Sequence, residues 1–144
     1  MDFNYTEAQN TIRKMARRFA ETEVAPGAPE RDRTQEYDWS LHKRQGELGF
    51  MGMIFPKELG GSDVGFLAFC LAVEEVSRAD LSVAVGPGAT ALAALQIWEL
   101  GTDAQKEVWK DEYVIPAIKG DKYIAAAITE PGAGSDVSGI RTTA

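Results

Sequence analysis

The sequence predicts a mainly α protein: an antiparallel cluster of helices that gives way to short strands after Gly120. Three observations predict it. Apolar residues recur at helical spacing through most of the chain, two Thr-x-x-Gln capping boxes mark helix starts, and a short continuous apolar run replaces the helical pattern near the end.

The first helix starts at Thr6-Glu7-Ala8-Gln9 and carries Ile12, Met15, Ala16, Phe19 and Val24 on one stripe until Pro26 ends it. Arg13, Lys14, Arg17 and Arg18 fall between those positions. With Glu7, Glu21 and Glu23 on the same element, they read as a solvated polar face rather than a phosphate-binding one. Pro26, Gly27 and Pro29 open a charged connection over residues 31–38, and residues 39–48 form a short helix that stops at Gly49. His42, the one histidine, has no cysteine or second histidine nearby and reads as a surface residue, neither ligand nor base.

Residues 50–61 form a loop punctuated by Pro56, Gly60 and Gly61. Residues 66–78 return to helix with Phe66, Phe69, Cys70, Val73 and Val76 on one stripe, where Cys70 reads as core packing. Residues 81–98 carry no charge, which is long enough to raise a membrane span. The flanking Asp80 and Glu99 and the internal Gly86-Pro87-Gly88 argue instead for a core helix over residues 81–100, buried on nearly every face. It is bent or interrupted at Pro87, and its glycines read as close packing against a neighbour. Thr102-Asp103-Ala104-Gln105 starts the next helix, which runs to about Tyr113, and Pro116 and Gly120 end the helical part. Residues 123–129 then read as a buried strand, residues 130–136 as a loop and residues 140–143 as the start of a second strand, so the sheet looks unfinished.

Composition narrows the function. With 44% apolar and 26% charged residues the chain has an ordinary globular balance, and a net charge of −7 gives no long-range attraction to nucleic acid or anionic lipid. Cys70 is the single cysteine, so no internal disulfide forms; no His/Cys cluster offers a metal site, and the N-terminus lacks the pattern of a signal peptide. These features place the chain in the cytoplasm. One segment carries chemistry: Gly132-Ala133-Gly134-Ser135, whose glycines let successive N–H groups converge while the serine adds a small donor. It is no Walker loop, since Ser135-Asp136 follows the last glycine where Lys-Ser/Thr is needed, and no G-x-G-x-x-G opens a helix here.

The stretch Ile128-Thr129-Glu130-Pro131-Gly132-Ala133-Gly134-Ser135-Asp136-Val137, with Gly139-Ile140-Arg141-Thr142, resembles the signature segment of the acyl-CoA dehydrogenase family. Phe55-Pro56 with Gly60-Gly61, Glu74-Glu75-Val76-Ser77-Arg78-Ala79-Asp80 and Gly101-Thr102-Asp103-Ala104-Gln105-Lys106 are similar to further family stretches, in the family's order. The resemblance implies an N-terminal all-helical domain over residues 1–119 and the first strand or two of a β-barrel-like middle domain over residues 120–144. It implies an FAD site at Ala126, Ala127, Ile128, Thr129, Gly134 and Ser135. Thr129 would face the pyrimidine end of the flavin, and Ser135 the pyrophosphate and the acyl-CoA. Gly88 and Leu92 would line the acyl pocket.

The same resemblance implies oxidation of an acyl-CoA thioester at Cα–Cβ to the enoyl-CoA, electrons passing to an electron-transfer flavoprotein, and a homotetramer. The sequence departs from the family by an apparent insertion at Asp111-Glu112-Tyr113-Val114, and it holds no residue matching the family's catalytic glutamate. Glu130, followed by Pro131, reads as a turn residue, so this chain alone is expected to be inactive. The alternatives are an acyl-CoA oxidase or enoyl-CoA reductase of the same superfamily, and a non-catalytic helical assembly module on the same scaffold.

Overall fold

The computed structural model describes residues 4–143. Thr6 caps α1 (Glu7–Phe19) with a complete capping box: its hydroxyl accepts the Gln9 amide at 3.2 Å, and Gln9 Oε1 accepts the Thr6 amide at 2.9 Å. Ala16, Phe19 and Val24 are buried as the stripe requires, while Met15 is exposed. Pro26 does not stop the helical path. A π-turn over Ala20–Val24 and a 3-10 turn over Ala25–Gly27 lead into α2 (Ala28–Thr34), because Pro26 and Pro29 each fall in a first turn, where no N–H is needed. The predicted charged connection is thus mostly helix, closed by Gln35 in the left-handed conformation at φ 57°.

Arg13 and Arg17, read above as solvated, have a different task. Glu75 on α4 (Phe66–Ala79) is 1% exposed, and its carboxylate accepts Arg13 Nε at 2.8 Å, Arg17 Nε at 2.9 Å, Arg17 Nη2 at 2.6 Å and Arg78 Nη1 at 2.7 Å. Arg13 and Arg17 lie four apart on one helical face, so both reach one carboxylate. The Arg17 hydrogen bonds, then those of Arg13 and Arg78, outweigh burial and hold the Glu75 carboxyl down at about 2. This clamp fastens α1 to α4, its main packing partner.

The α4 face differs from the predicted stripe. Ala68, Phe69, Leu71, Ala72, Glu75 and Val76 are buried, while Phe66 and Cys70 are exposed; Cys70 is therefore not core packing. The loop over residues 50–61 supplies more of the core than its turn residues announce: Phe50, Met51, Met53, Phe55 and Leu59 are all buried.

The helix α5 (Leu81–Leu100) begins one residue after α4, capped by Asp80, whose carboxylate accepts the Ser82 amide at 2.9 Å. Arg31 of α2 donates to that same carboxylate at 2.9 Å and to the Val24 carbonyl at 2.6 Å, which fixes α2 against the α4–α5 corner. No interruption occurs at Gly86-Pro87-Gly88; α5 runs through with Pro87 inside it. Proline lacks an N–H, which deprives the Val83 carbonyl four residues back of its helical partner. Gln45 supplies the replacement. It lies buried on α3 (Trp39–Glu47), and its Nε2 donates to the Val83 oxygen at 3.0 Å.

Nor is α5 buried on nearly every face. Val83, Ala84, Gly86, Pro87, Thr90, Ala91, Ala93 and Ala94 face the core, whereas Leu81, Val85, Leu92 and Leu100 are exposed. By length and hydropathy α5 could cross a membrane, yet its buried face packs against α3, α4 and the helix α7 described below.

His42 is 1% exposed, not a surface residue. The Tyr37 hydroxyl lies 2.9 Å from its Nδ1, its ring stacks on Tyr123 at 5.5 Å, and Trp39 meets it edge-on. Burial pushes the His42 pKa down; Nε2 makes no hydrogen bond of normal geometry, although the Lys122 backbone lies near enough to oppose part of that fall. Burial, then Tyr123 and Asp38, pushes the Tyr37 phenol up to about 12, so both members of the pair stay neutral. Gly86 makes room for this pair, since a Cβ there would lie 2.4 Å from the Tyr37 oxygen.

The second capping box also forms. The Thr102 hydroxyl accepts the Gln105 amide at 3.3 Å ahead of α6 (Asp103–Trp109). A π-turn over Lys110–Val114 follows, at the segment read as an insertion, and Pro116 starts α7 (Ile115–Ile118) instead of ending the helical part. Gly120 then ends it at φ 73°.

The expected strands over residues 123–129 and 140–143 do not form; among the described residues the only β-pairing is an isolated Glu130–Ala133 bridge. An extended segment becomes a strand only by pairing, and no partner segment lies beside this one.

Two measurements check these packing claims. Urea unfolding across pH should show stability falling as pH drops from about 4.5 towards about 2, because the unfolded Glu75 takes up a proton that the folded one resists. Glu75→Gln should flatten that interval. Gln45→Met should cost about 1–3 kcal/mol by orphaning the Val83 carbonyl, and much less in a Pro87→Ala background that restores the helical N–H. Equal costs in both backgrounds would show that Gln45 does not compensate for the proline.

Candidate functional site

The expected cofactor segment leaves the bundle at Ile124, whose amide lies 3.4 Å from the Thr90 hydroxyl of α5 and whose side chain packs on the core. From Ala125 the chain is exposed, Ala126, Ala127, Ile128 and Thr129 included. Pro131 and Gly132 then turn it tightly. The Glu130 amide donates to the Ala133 carbonyl at 2.9 Å, and the Ala133 amide returns to the Glu130 carbonyl at 3.1 Å. Ala133 alone in this stretch is buried. Asp136 accepts the Ser138 amide at 3.1 Å and its hydroxyl at 2.5 Å, which caps a 3-10 turn over Val137–Gly139.

The turn leaves Gly134 and Ser135 on the outside. Ser135 and Thr129 are exposed, and neither hydroxyl has a hydrogen-bond partner among the described residues. A Cβ at Gly134 would meet nothing within 4 Å, so the backbone there is open to close approach. Free hydroxyl and amide donors around open glycine backbone suit an anionic or carbonyl-rich ligand, which fits the pyrophosphate and pyrimidine of a flavin dinucleotide. Glu130 is not free in the same way. The Thr142 hydroxyl, then the Arg141 and Thr142 amides, hold its carboxyl below the usual carboxylate range.

Gly88 and Leu92 lie four apart on α5, on the face that also exposes Leu81 and Val85. Space around Gly88 is open, since a Cβ there would meet nothing within 4 Å. The glycine therefore does not serve close helix packing. The stripe is apolar and exposed, with open space at Gly88. Thr90, between Gly88 and Leu92 in sequence, holds Ile124, so stripe and loop are joined at one point. Among the described residues no group of His, Cys, Asp and Glu could hold a metal ion.

This architecture has a known counterpart. The model of the acyl-CoA dehydrogenase N-terminal domain matches residues 6–114. The chain belongs to the acyl-CoA dehydrogenase family. A short-chain specific acyl-CoA dehydrogenase of Clostridium acetobutylicum is 41% identical over 145 residues, covering 100% of this chain and 37% of its own. The structure of butyryl-CoA dehydrogenase from Megasphaera elsdenii superposes with a TM-score of 0.84 at 40% identity, over 99% of this chain and 37% of that one. The FAD complex of PigA superposes with a TM-score of 0.88 at 28% identity, over 100% of this chain and 37% of that one. The chain thus spans little more than a third of the length of these relatives.

Leu92 and Ala94 separate the two faces of α5 in a simple comparison. Leu92→Asp should change stability by about 1 kcal/mol or less, because an exposed charge stays solvated. Ala94→Asp places an unpaired carboxylate where exposure is 0%, and should cost about 3 kcal/mol or more. Thermal melts of the two variants check the assignment, and similar losses in both would mean that α5 has no free face.

Proposed function

We propose that this chain is the N-terminal portion of an FAD-dependent acyl-CoA dehydrogenase, with residues 1–119 as the helical domain and residues 120–144 opening the middle domain. The observation that carries the reading is the loop of residues 129–135, which turns Thr129, Gly134 and Ser135 outward with their donors unused. Thr129 and the adjoining Ala126, Ala127 and Ile128 backbone take the flavin's pyrimidine end. Gly134 and Ser135 take its pyrophosphate. When bound, FAD supplies the hydride acceptor for the substrate's β-carbon.

The chain's own residues bind and orient. Hydrogen-bond donors fixed at the N1/C2 carbonyl region stabilise the charge that gathers there, and fixed donors cost no reorganisation during reaction. The α5 stripe at Gly88 and Leu92 takes the acyl chain and excludes water from it, while Ser135 also touches the thioester end of acyl-CoA. The α-proton needs a carboxylate that this sequence does not supply, since Glu130 is committed to the loop. An electron-transfer flavoprotein as acceptor, a homotetramer and a cytoplasmic setting belong to the same reading.

The test uses a polypeptide of the relatives' length that carries this sequence. Ser135→Ala should weaken FAD or thioester binding by about 1–3 kcal/mol, the usual value of a hydrogen bond to a charged group. Unchanged affinity for both ligands would refute the assignment of the loop. The chain of residues 1–144, given FAD, acyl-CoAs and an acceptor dye, should show no substrate-dependent bleaching, since general-base catalysis contributes about 10²- to 10⁴-fold.

A further inference from the structure

The loop with the candidate donors is held shut from its first residue. Glu130 follows Thr129 directly, and its carboxylate spans the loop's mouth. Its Oε2 accepts the Arg141 amide at 3.0 Å, and its Oε1 accepts the Thr142 amide at 2.8 Å together with the Thr142 hydroxyl. Inside the closed loop Ala133 is 3% exposed, although Gly132 and Gly134 on either side of it are exposed. Gly139 closes over it, since a Cβ there would lie 3.6 Å from the Ala133 methyl.

Residues 130–142 therefore form a compact loop whose ends meet and whose interior is filled by its own side chain. Gly132, Gly134 and Gly139 make such a segment entropically costly to order, and no paired strand holds it. The polar pins are Glu130 at the ends and Asp136 in the middle. Asp136 acts over two residues, whereas Glu130 acts over eleven and twelve. The longer span decides whether the loop closes.

We propose that Glu130 is the positioning residue of the cofactor loop: its carboxylate ties the two ends together and so fixes the direction in which Thr129 and Ser135 present their donors. This rests on the reading of the loop as an FAD site. Both carboxylate oxygens are occupied by donors, which makes Glu130 a poor proton acceptor and a good clamp. Glutamine keeps one acceptor oxygen and can serve one of the two amides; alanine serves neither.

Amide hydrogen exchange on the chain and on its Glu130→Gln and Glu130→Ala variants tests the clamp without cofactor. In Glu130→Ala the Arg141 and Thr142 amides should exchange about tenfold faster, the value of one ordinary hydrogen bond. The Ala133, Ser138 and Gly139 amides, which the Glu130 side chain does not touch, should speed up as well. Glu130→Gln should fall between, and the α4 and α5 amides should not change. Acceleration confined to Arg141 and Thr142, or none, would overturn the proposal by making Glu130 a local cap.

In a polypeptide of the relatives' length, flavin-fluorescence titration should show FAD binding weakened about tenfold or more by Glu130→Ala and less by Glu130→Gln. If the unsubstituted protein binds no FAD, the cofactor reading fails and the positioning role with it. If FAD binds equally well to the alanine variant, positioning alone is overturned.

Discussion

A carboxylate that is 1% exposed cannot stay charged without cations around it, and Glu75 draws them from two helices. That requirement fixes the rotation and register of α1, because Arg17 must face Glu75 to reach both of its oxygens, and Arg13 one turn earlier then reaches one of them as well. Asp80, at the end of the same helix, repeats the arrangement: it caps α5 and receives Arg31 from α2. Glu75 on α4 and Asp80 just after it thereby fasten α1 and α2 to the α4–α5 corner. Apolar contact supplies the larger energy, but it is non-directional. The ion pairs choose among the packings that apolar contact allows.

With that corner fixed, α5 can tolerate residues that ordinarily break helices. Pro87 leaves the Val83 carbonyl without its helical donor, and Gln45 on α3 makes up the loss at the cost of a buried amide. Gly86 admits the Tyr37 phenol, which in turn gives buried His42 a hydrogen-bond partner. Each exception on α5 is therefore answered by a polar group on α3 or just before it. Alanine and leucine favour helix over most of α5, but the turn at Gly86-Pro87-Gly88 does not, and that turn is held helical by what packs on its inner face. The outer face, with Leu81, Val85 and Leu92 and the open space at Gly88, is left free of such duties.

The sequence made legible what is local. Both capping boxes form as read, α4 and α5 begin and end within a residue of their expected bounds, and Glu130 is the turn residue it was read to be. What it concealed is non-local. Arg13 and Arg17 lie 62 and 58 residues from Glu75, so a charged face looked solvated. The α4 stripe was read through Cys70, which is exposed, because the face that is buried carries a charged residue, Glu75, among its apolar ones. His42 is buried by Tyr123, far along the chain. The residues of the candidate site were visible as a composition of glycine and serine, but the clamp on them was not, because it joins Glu130 to residues eleven and twelve positions on and two of its three donors are the backbone amides of Arg141 and Thr142.

The strands that failed to form sharpen the account of the loop. A strand owes its existence to a neighbour, so the run over residues 123–129 stays unpaired, and its three alanines favour a strand only weakly. The loop after it needs no neighbour. Its turn closes through Glu130 and Ala133, its interior is filled by Ala133, and its far end returns to the Glu130 carboxylate. The loop therefore closes on its own contacts without a paired strand, and Thr129 and Ser135 lie exposed beside it. The family signature is then a structural unit in its own right: glycines that permit the turns, small residues that fill and present, and one acid that closes the ring.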